Sequence, residues 1–180
     1  MDTNAKTDSI ILGGGCFWCT ESVFLAVPGV LDVMPGYCGG HVDNPSYEQV
    51  CSENTGHVEV VRVTYDPGII GLEALLQIFF ATHDPTTLNR QGGDAGPQYA
   101  SVVFYENEQQ KAVARQVTAE VQELLGRAVV TRIEEAGHFW PAEDYHRNYY
   151  AKHPSQGYCQ MVISPKMAKF RHQFASLLQG

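Results

Sequence analysis

The clearest alternation of apolar and polar positions lies near the middle of the chain. Val58-Glu59-Val60-Val61-Arg62-Val63-Thr64-Tyr65 is rich in β-branched residues and ends at Asp66-Pro67-Gly68, which predicts a strand closed by a turn. Side chains alternate along a strand, so Glu59 shares one side with Val61, Val63 and Tyr65, while Arg62 and Thr64 share the other with Val58 and Val60. Just beyond, Leu72, Leu75, Leu76, Phe79 and Phe80 recur at helical spacing. Residues 72–80 are therefore expected to form a helix whose apolar stripe packs on the sheet.

Weaker patterns extend the reading. A strand is expected at 10–12, a short helix at 21–27 stopped by Pro28-Gly29, and a second strand at 30–37 that Pro35-Gly36 interrupts, with a loop through Asn44-Pro45-Ser46. After a long aperiodic connection from His83 to Pro97, residues 99–105 resume as a strand, 108–125 as a polar-faced helix and 129–133 as a short strand. Two more helices are expected at 142–152 and 166–178, separated by a turn at 154–157. Strands alternating with helices predict an α/β or α+β layered domain, with the long loops supplying the site.

Composition sets the bounds. A chain of 180 residues suits a single domain that removes roughly 70% of its unfolded surface from water. Apolar residues make up 44% and charged residues 18%, the balance of a globular chain rather than a disordered one. The formal charge of -8 argues against nucleic acid as a partner. No run approaches the roughly twenty apolar residues that cross a bilayer, and the polar start lacks the apolar segment of a secretory signal. The expectation is a monomer in the cytoplasm, one domain over 1–180, with 1–9 a flexible leader. Cys16, Cys19, Cys38, Cys51 and Cys159 are an odd number of thiols, which suits catalysis or metal binding better than a disulfide framework.

The first of these thiols has a distinctive setting. Ile10-Ile11-Leu12 runs into Gly13-Gly14-Gly15-Cys16-Phe17-Trp18-Cys19, a strand that turns into a helix with Cys16 in its first turn. Free amides and the helix dipole are expected to favour a Cys16 thiolate there, the reactive form. Glu59, on the apolar side of its strand, is expected to be desolvated and so to hold a proton it can donate; the plainer alternative is an edge-strand carboxylate with a neighbouring donor. Cys16-x-x-Cys19 also fits a thiol–disulfide exchange motif, and Cys16, Cys19, Cys38 and Cys51 are a candidate zinc set, although the last two form no second close pair. His57 and His146 read most simply as structural hydrogen-bonding residues.

Gly15-Cys16-Phe17-Trp18 resembles the active-site motif of the A-type peptide methionine sulfoxide reductases. The resemblance continues through Gly36-Tyr37-Cys38-Gly39-Gly40, Asn44-Pro45-Ser46-Tyr47, Thr55-Gly56-His57-Val58-Glu59-Val60, Phe80-Ala81-Thr82-His83-Asp84-Pro85-Thr86, Asn89-Arg90-Gln91-Gly92-Gly93-Asp94, Gln98-Tyr99, Ala142-Glu143-Asp144-Tyr145-His146 and Tyr158-Cys159. It implies an α+β fold, a two-layer sandwich around a mixed sheet. It also implies reduction of methionine S-sulfoxide, free or in oxidised proteins, without cofactor or metal, and with thioredoxin as the reductant. Carried over motif by motif, it makes Cys16 the nucleophile and Glu59 the proton donor. Tyr47, Tyr99 and Asp94 line the oxygen end, and Phe17 and Trp18 form the pocket for the S-methyl group.

The same resemblance makes Cys159, in a flexible-looking segment at 154–180, the resolving thiol. Cys19, one helical turn from Cys16, is the nearest competitor, ahead of Cys51 and Cys38. On residue type alone Tyr47 and Tyr99 are ordinary half-buried tyrosines, Trp18 is core, and Asp94 holds loop amides. One departure is Ala100, where the family has Arg after its Gln-Tyr pair; strand alternation would turn it away from Tyr99, altering surface charge or loop anchoring. The competing readings are a general thiol–disulfide oxidoreductase using Cys16 and Cys19, and a zinc-binding or interaction domain.

Overall fold

Val58–Tyr65 is a central strand of a six-stranded sheet in the computed structural model, which describes residues 7–178. In chain order the elements are β1 (Asp8–Gly14), α1 (Phe17–Leu25), β2 (Val30–Cys38), α2 (Tyr47–Cys51), β3 (Val58–Tyr65) and α3 (Leu72–Ala81). There follow a small hairpin of β4 (Arg90–Gln91) and β5 (Asp94–Ala95), then β6 (Ser101–Tyr105), α4 (Glu108–Leu125), β7 (Arg132–Glu135) and β8 (Trp140–Pro141). The chain closes with α5 (Tyr149–Lys152), α6 (Ser164–Gln173) and α7 (Ala175–Leu178). The sheet order is β7-β6-β1-β3-β2-β8; only β6 and β7 run parallel, so the sheet is mixed and the fold is α+β.

The side-chain alternation in β3 separates two cores. Val61, Val63 and Tyr65 join Cys16, Phe17, Cys19 and the apolar stripe of α3, Leu75, Leu76, Phe79 and Phe80, in the larger core under the helices. Val58 and Val60 join Ile11, Cys38, Val102 and Phe104 on the other face, where Ala136 and Phe139 close over them. The Arg62 guanidinium lies 4.8 Å from the centre of the Phe139 ring, an attraction that helps hold this cover. Gly36 admits β8 to the sheet: a Cβ there would lie 2.5 Å from the Trp140 carbonyl oxygen.

Several expectations are corrected. β1 begins at Asp8, so the leader expected at 1–9 does not extend that far; residues 1–6 lie outside the described residues. The loop after Pro45 leads straight into α2, too short for periodicity but marked by a reciprocal cap: Gln49 N–H donates to Ser46 Oγ and Ser46 N–H to Gln49 Oε1, at 3.1 and 2.8 Å. The connection at 83–97 contains the β4–β5 hairpin, and Pro97–Tyr99 is a 3₁₀ turn, so β6 starts at Ser101 rather than at 99. The strand expected at 129–133 is displaced to 132–135.

The helix expected over 142–152 is broken. A 3₁₀ turn at Asp144–His146 gives way to Asn148, whose φ of 55° stops a right-handed helix before α5. The final helix starts at Ser164, directly after a π-helical turn at Cys159–Ile163, and breaks at Phe174. The segment expected to be flexible therefore carries Cys159 in a helical turn, with its own side chain buried. No described helix is long and apolar enough to cross a membrane.

Candidate active site

β1 ends and α1 begins within two residues, and Gly15 makes the turn between them. Its φ of 101° lies in the region that L side chains avoid, and a Cβ there would meet Gln91 of the hairpin at 2.7 Å. Cys16 then takes the N-cap position of α1: its carbonyl accepts the Cys19 N–H at 3.1 Å, while its own side chain caps no backbone group. The sulfur is left for other contacts, and its residue is 9% exposed.

Glu59 arrives from β3 by the alternation read in the sequence. It is 1% exposed, and its Oε1 accepts the Phe17 N–H at 3.1 Å, one residue past the thiol. Burial, opposed by that N–H and reinforced by the charges of Asp94 and Cys19, pushes its carboxyl up to about 8. The other oxygen, Oε2, is buried with no hydrogen-bond partner among the described residues. A carboxyl with one oxygen satisfied and the other free can carry a proton into the site.

Cys16 itself corrects the expectation of a thiolate favoured by the helix end. Burial pushes its thiol well above the ordinary value, with further upward contributions from the Cys19 hydrogen bond and the Glu59 carboxyl, and the Trp18 backbone N–H offsets only part of this. In a low-dielectric site the loss of hydration outweighs one turn of helix dipole. Cys19 moves the other way, drawn down to about 7 chiefly by the hydrogen bond from Cys16, with Lys166 assisting. The two thiols thus share a hydrogen bond across one helical turn, which favours the charged form at Cys19 over Cys16.

Tyr47 and Tyr99, from α2 and the 3₁₀ turn, face the same carboxyl. Burial and the Glu59 charge push both hydroxyls up, so both remain protonated donors. The Tyr47 ring stacks on Phe17 and Trp18 at 6.2 and 6.5 Å. Cys51 is drawn into this end through a hydrogen bond with the Tyr47 hydroxyl. Cys38 lies on the opposite face of the sheet, so the four thiols weighed as a zinc set do not converge.

The aromatic wall is held by residues to which the sequence reading assigned no place in the site. Glu143 accepts the Tyr37 hydroxyl at 2.9 Å on Oε1 and the Tyr47 N–H at 3.0 Å on Oε2. His146, fully buried, accepts the Trp18 indole N–H at 3.0 Å on Nδ1, which places its own proton on Nε2, 4.0 Å from Glu143 Oε1. His146 therefore has the structural hydrogen bond expected of it, and His57 is similarly engaged with the Gly40 N–H and Val42 carbonyl. Buried Glu21 of α1 accepts the N–H groups of Asn148 and Tyr149 at 2.7 and 3.3 Å, and so fixes Tyr149, whose ring stacks on Trp18 at 3.8 Å. The hydrogen bonds of Glu143 to Tyr37 and Tyr47, of His146 to Trp18 and of Glu21 to Asn148 join residues 96 or more apart in sequence, beyond the range of any local pattern.

Other placements depart from expectation. Asp94 accepts the Tyr158 hydroxyl at 2.6 Å, rather than only holding loop amides, and the same hydroxyl lies 3.8 Å from Cys19 Sγ. Cys159 is fully buried, its N–H held by Gln156 Oε1 at 3.1 Å, and no disulfide joins the described thiols. Ala100 is buried against Val58, Val102 and Phe104. From Cys16, Cys19, Asp94 and Tyr158 a cavity of about 1480 Å³ extends outward along α4 and α6.

Comparisons place this arrangement among known proteins. The family model for "Peptide methionine sulfoxide reductase" matches residues 8–178. The chain is 57% identical to "Peptide methionine sulfoxide reductase MsrA" of Chromobacterium violaceum, covering 96% of this chain and 99% of that one. It is 53% identical to the protein of the same name from Saccharolobus solfataricus, covering 91% and 92%. Among solved structures, reduced Mxr1 from Saccharomyces cerevisiae superposes with a TM-score of 0.82 at 36% identity, covering 88% of this chain and 91% of that one. Mxr1 solved in complex with Trx2 matches at a TM-score of 0.58 and 26% identity, over 82% and 87%. With identity this high over nearly its full length, the chain belongs to the A-type peptide methionine sulfoxide reductases and is an enzyme that reduces methionine sulfoxide.

Proposed function

We propose that the enzyme acts on the S epimer of methionine sulfoxide by attack of Cys16 sulfur on the sulfoxide sulfur, with Glu59 protonating the departing oxygen. The observation that carries this reading is the Glu59 carboxyl, held near 8 by burial, bonded through one oxygen to the N–H beside the nucleophile and unpartnered at the other. Oxide is a poor leaving group, so the S–O bond breaks only as a proton reaches oxygen. Tyr47 and Tyr99 hydroxyls hold that oxygen, and the rings of Phe17 and Trp18 receive the methyl group.

The balance is simple. Cys16 thiol and methionine sulfoxide become Cys16 sulfenic acid and methionine; the proton lost by the thiol replaces the one Glu59 has given to oxygen. A second thiol then attacks the Cys16 sulfur, expels water and leaves a disulfide. Cys159 is proposed for this step, after its helical turn opens. A second reading, supported by the Cys16–Cys19 hydrogen bond, gives the step to Cys19. Thioredoxin is the proposed reductant, consistent with a similar chain, Mxr1, having been solved in complex with Trx2.

The test is a turnover assay with each sulfoxide epimer separately and dithiothreitol as reductant. Reduction of the S epimer that vanishes in Cys16→Ser is expected. Failure to turn over the S epimer would overturn the proposal, and so would S-epimer activity that survives in C16S.

A further inference from the structure

The cavity that begins at Cys16 serves only half of the site. It is lined by Cys16 and Cys19, and by Tyr158, Met161 and Val162 on either side of Cys159. Of the groups placed around the sulfoxide, Asp94 lines it beside Cys16, whereas Glu59, Tyr47, Tyr99, Phe17 and Trp18 are absent from its walls. The thiols therefore open onto this groove, while the carboxyl and the aromatic wall of the substrate end do not.

Its outer part is unusually apolar for an exposed surface. Leu124 and Leu125 of α4 and Met161 and Val162 of the π turn all stand exposed in it, Leu124 at 86% and Met161 at 81%. Half-buried Phe174 and, deeper in, buried Phe80 line the same groove. A contiguous exposed apolar patch marks an interaction site more often than scattered single residues do. Arg127, Lys166 and Lys169 stand along it against Asp84, Asp94 and Glu120, so the groove is near neutral on a chain of formal charge -8.

We propose that this groove is the docking surface for a thioredoxin-type dithiol protein, which reaches the enzyme's disulfide from the side away from Glu59 and the aromatic wall. The proposal rests on the disulfide-forming mechanism above and holds for either resolving thiol, since the groove touches Cys19 and the neighbours of Cys159. The partner's thiolate attacks one sulfur of the enzyme disulfide and the other leaves as a thiolate, giving a mixed disulfide. The partner's second thiolate then displaces the enzyme sulfur, so the enzyme regains two thiols and the partner leaves oxidised. Transient redox complexes use small interfaces, below about 1,200 Å² in total, a scale that a groove and its rim can supply. Near neutrality spares a docking protein the negative field that a chain of formal charge -8 presents elsewhere.

The experiment uses Leu124→Asp combined with Met161→Asp, two exposed positions outside the catalytic groups. Turnover of N-acetyl-methionine S-sulfoxide is measured with dithiothreitol and, separately, with increasing thioredoxin; a peptide carrying the same sulfoxide is run beside it. The KM for thioredoxin should rise about tenfold, the equivalent of about 1.4 kcal/mol, while the dithiothreitol-supported rates on both substrates stay within twofold of the parent. A thioredoxin KM that stays within twofold would overturn the proposal. A selective rise in the peptide KM would do so as well, assigning the groove to substrate polypeptide, as would an equal fall in the dithiothreitol-supported rates. If the parent itself fails to reduce the S epimer with dithiothreitol, the mechanism above is what has failed.

Discussion

Replacing Glu59 with glutamine should separate the proton from the fold. The side chain keeps its size and an oxygen for the Phe17 N–H, 3.1 Å away in the parent, but it has no acidic proton to give. General acids contribute about 10²- to 10⁴-fold to such steps, so E59Q should lose that factor in kcat with KM changed little. In the parent, a carboxyl at about 8 is about 90% protonated at pH 7 and about 10% at pH 9. The kcat/KM for N-acetyl-methionine S-sulfoxide should therefore fall about tenfold per pH unit above 8, and E59Q should lack that limb.

Stability should respond in the opposite sense to activity. The folded carboxyl is raised from an ordinary 4.5 to about 8, so between those values the folded state binds the proton and the unfolded state does not. Stability contributed by Glu59 is full below 4.5 and is lost as pH rises through 8, because the parent must then bury a charge. Glutamine carries no such penalty. E59Q should accordingly gain on the parent across that window, by an upper bound on the order of 5 kcal/mol, read as a difference in urea midpoints at pH 5 and pH 9. Wild-type turnover in E59Q, or a parent pH profile flat from 7 to 10, would refute the proton-donor assignment.

Other outcomes follow from the same contacts. After one equivalent of sulfoxide without reductant, peptide mass mapping should find Cys16 joined to Cys159; a bond to Cys19 alone would transfer the resolving role to the neighbour already hydrogen-bonded to it. Glu143→Ala removes the acceptor of the Tyr37 hydroxyl and the Tyr47 N–H, and should cost about 2 kcal/mol in chemical denaturation and raise KM more than it lowers kcat. Glu143→Gln, which retains one acceptor oxygen, should recover part of both.

What was legible in the sequence was what local physics decides. Eight residues of alternating character determined β3 and which face Glu59 would occupy, and both came out as expected because the side-chain period of a strand is strict. The stripe from Leu72 to Phe80 likewise determined α3, and the glycine run located the turn that presents Cys16. Short elements escaped: α2, β8 and each strand of the β4–β5 hairpin span five residues or fewer, too few for a period to show.

The chemistry of the site depended on residues far apart in the chain. Local sequence placed Cys16 at a helix start and so suggested a thiolate, whereas the fold buries that thiol beside Glu59 and hands the lower value to Cys19, because desolvation depends on everything packed around the group. In the same way only the fold brings Glu143 and His146 to Tyr47 and Trp18, and places Cys159 in a closed helical turn rather than a free segment. The sequence by itself determined the strand, the turn and the identity of the reactive groups, since these follow from neighbours along the chain. Tertiary structure alone decided their protonation, their orientation and which thiols face the groove, since these follow from neighbours in space.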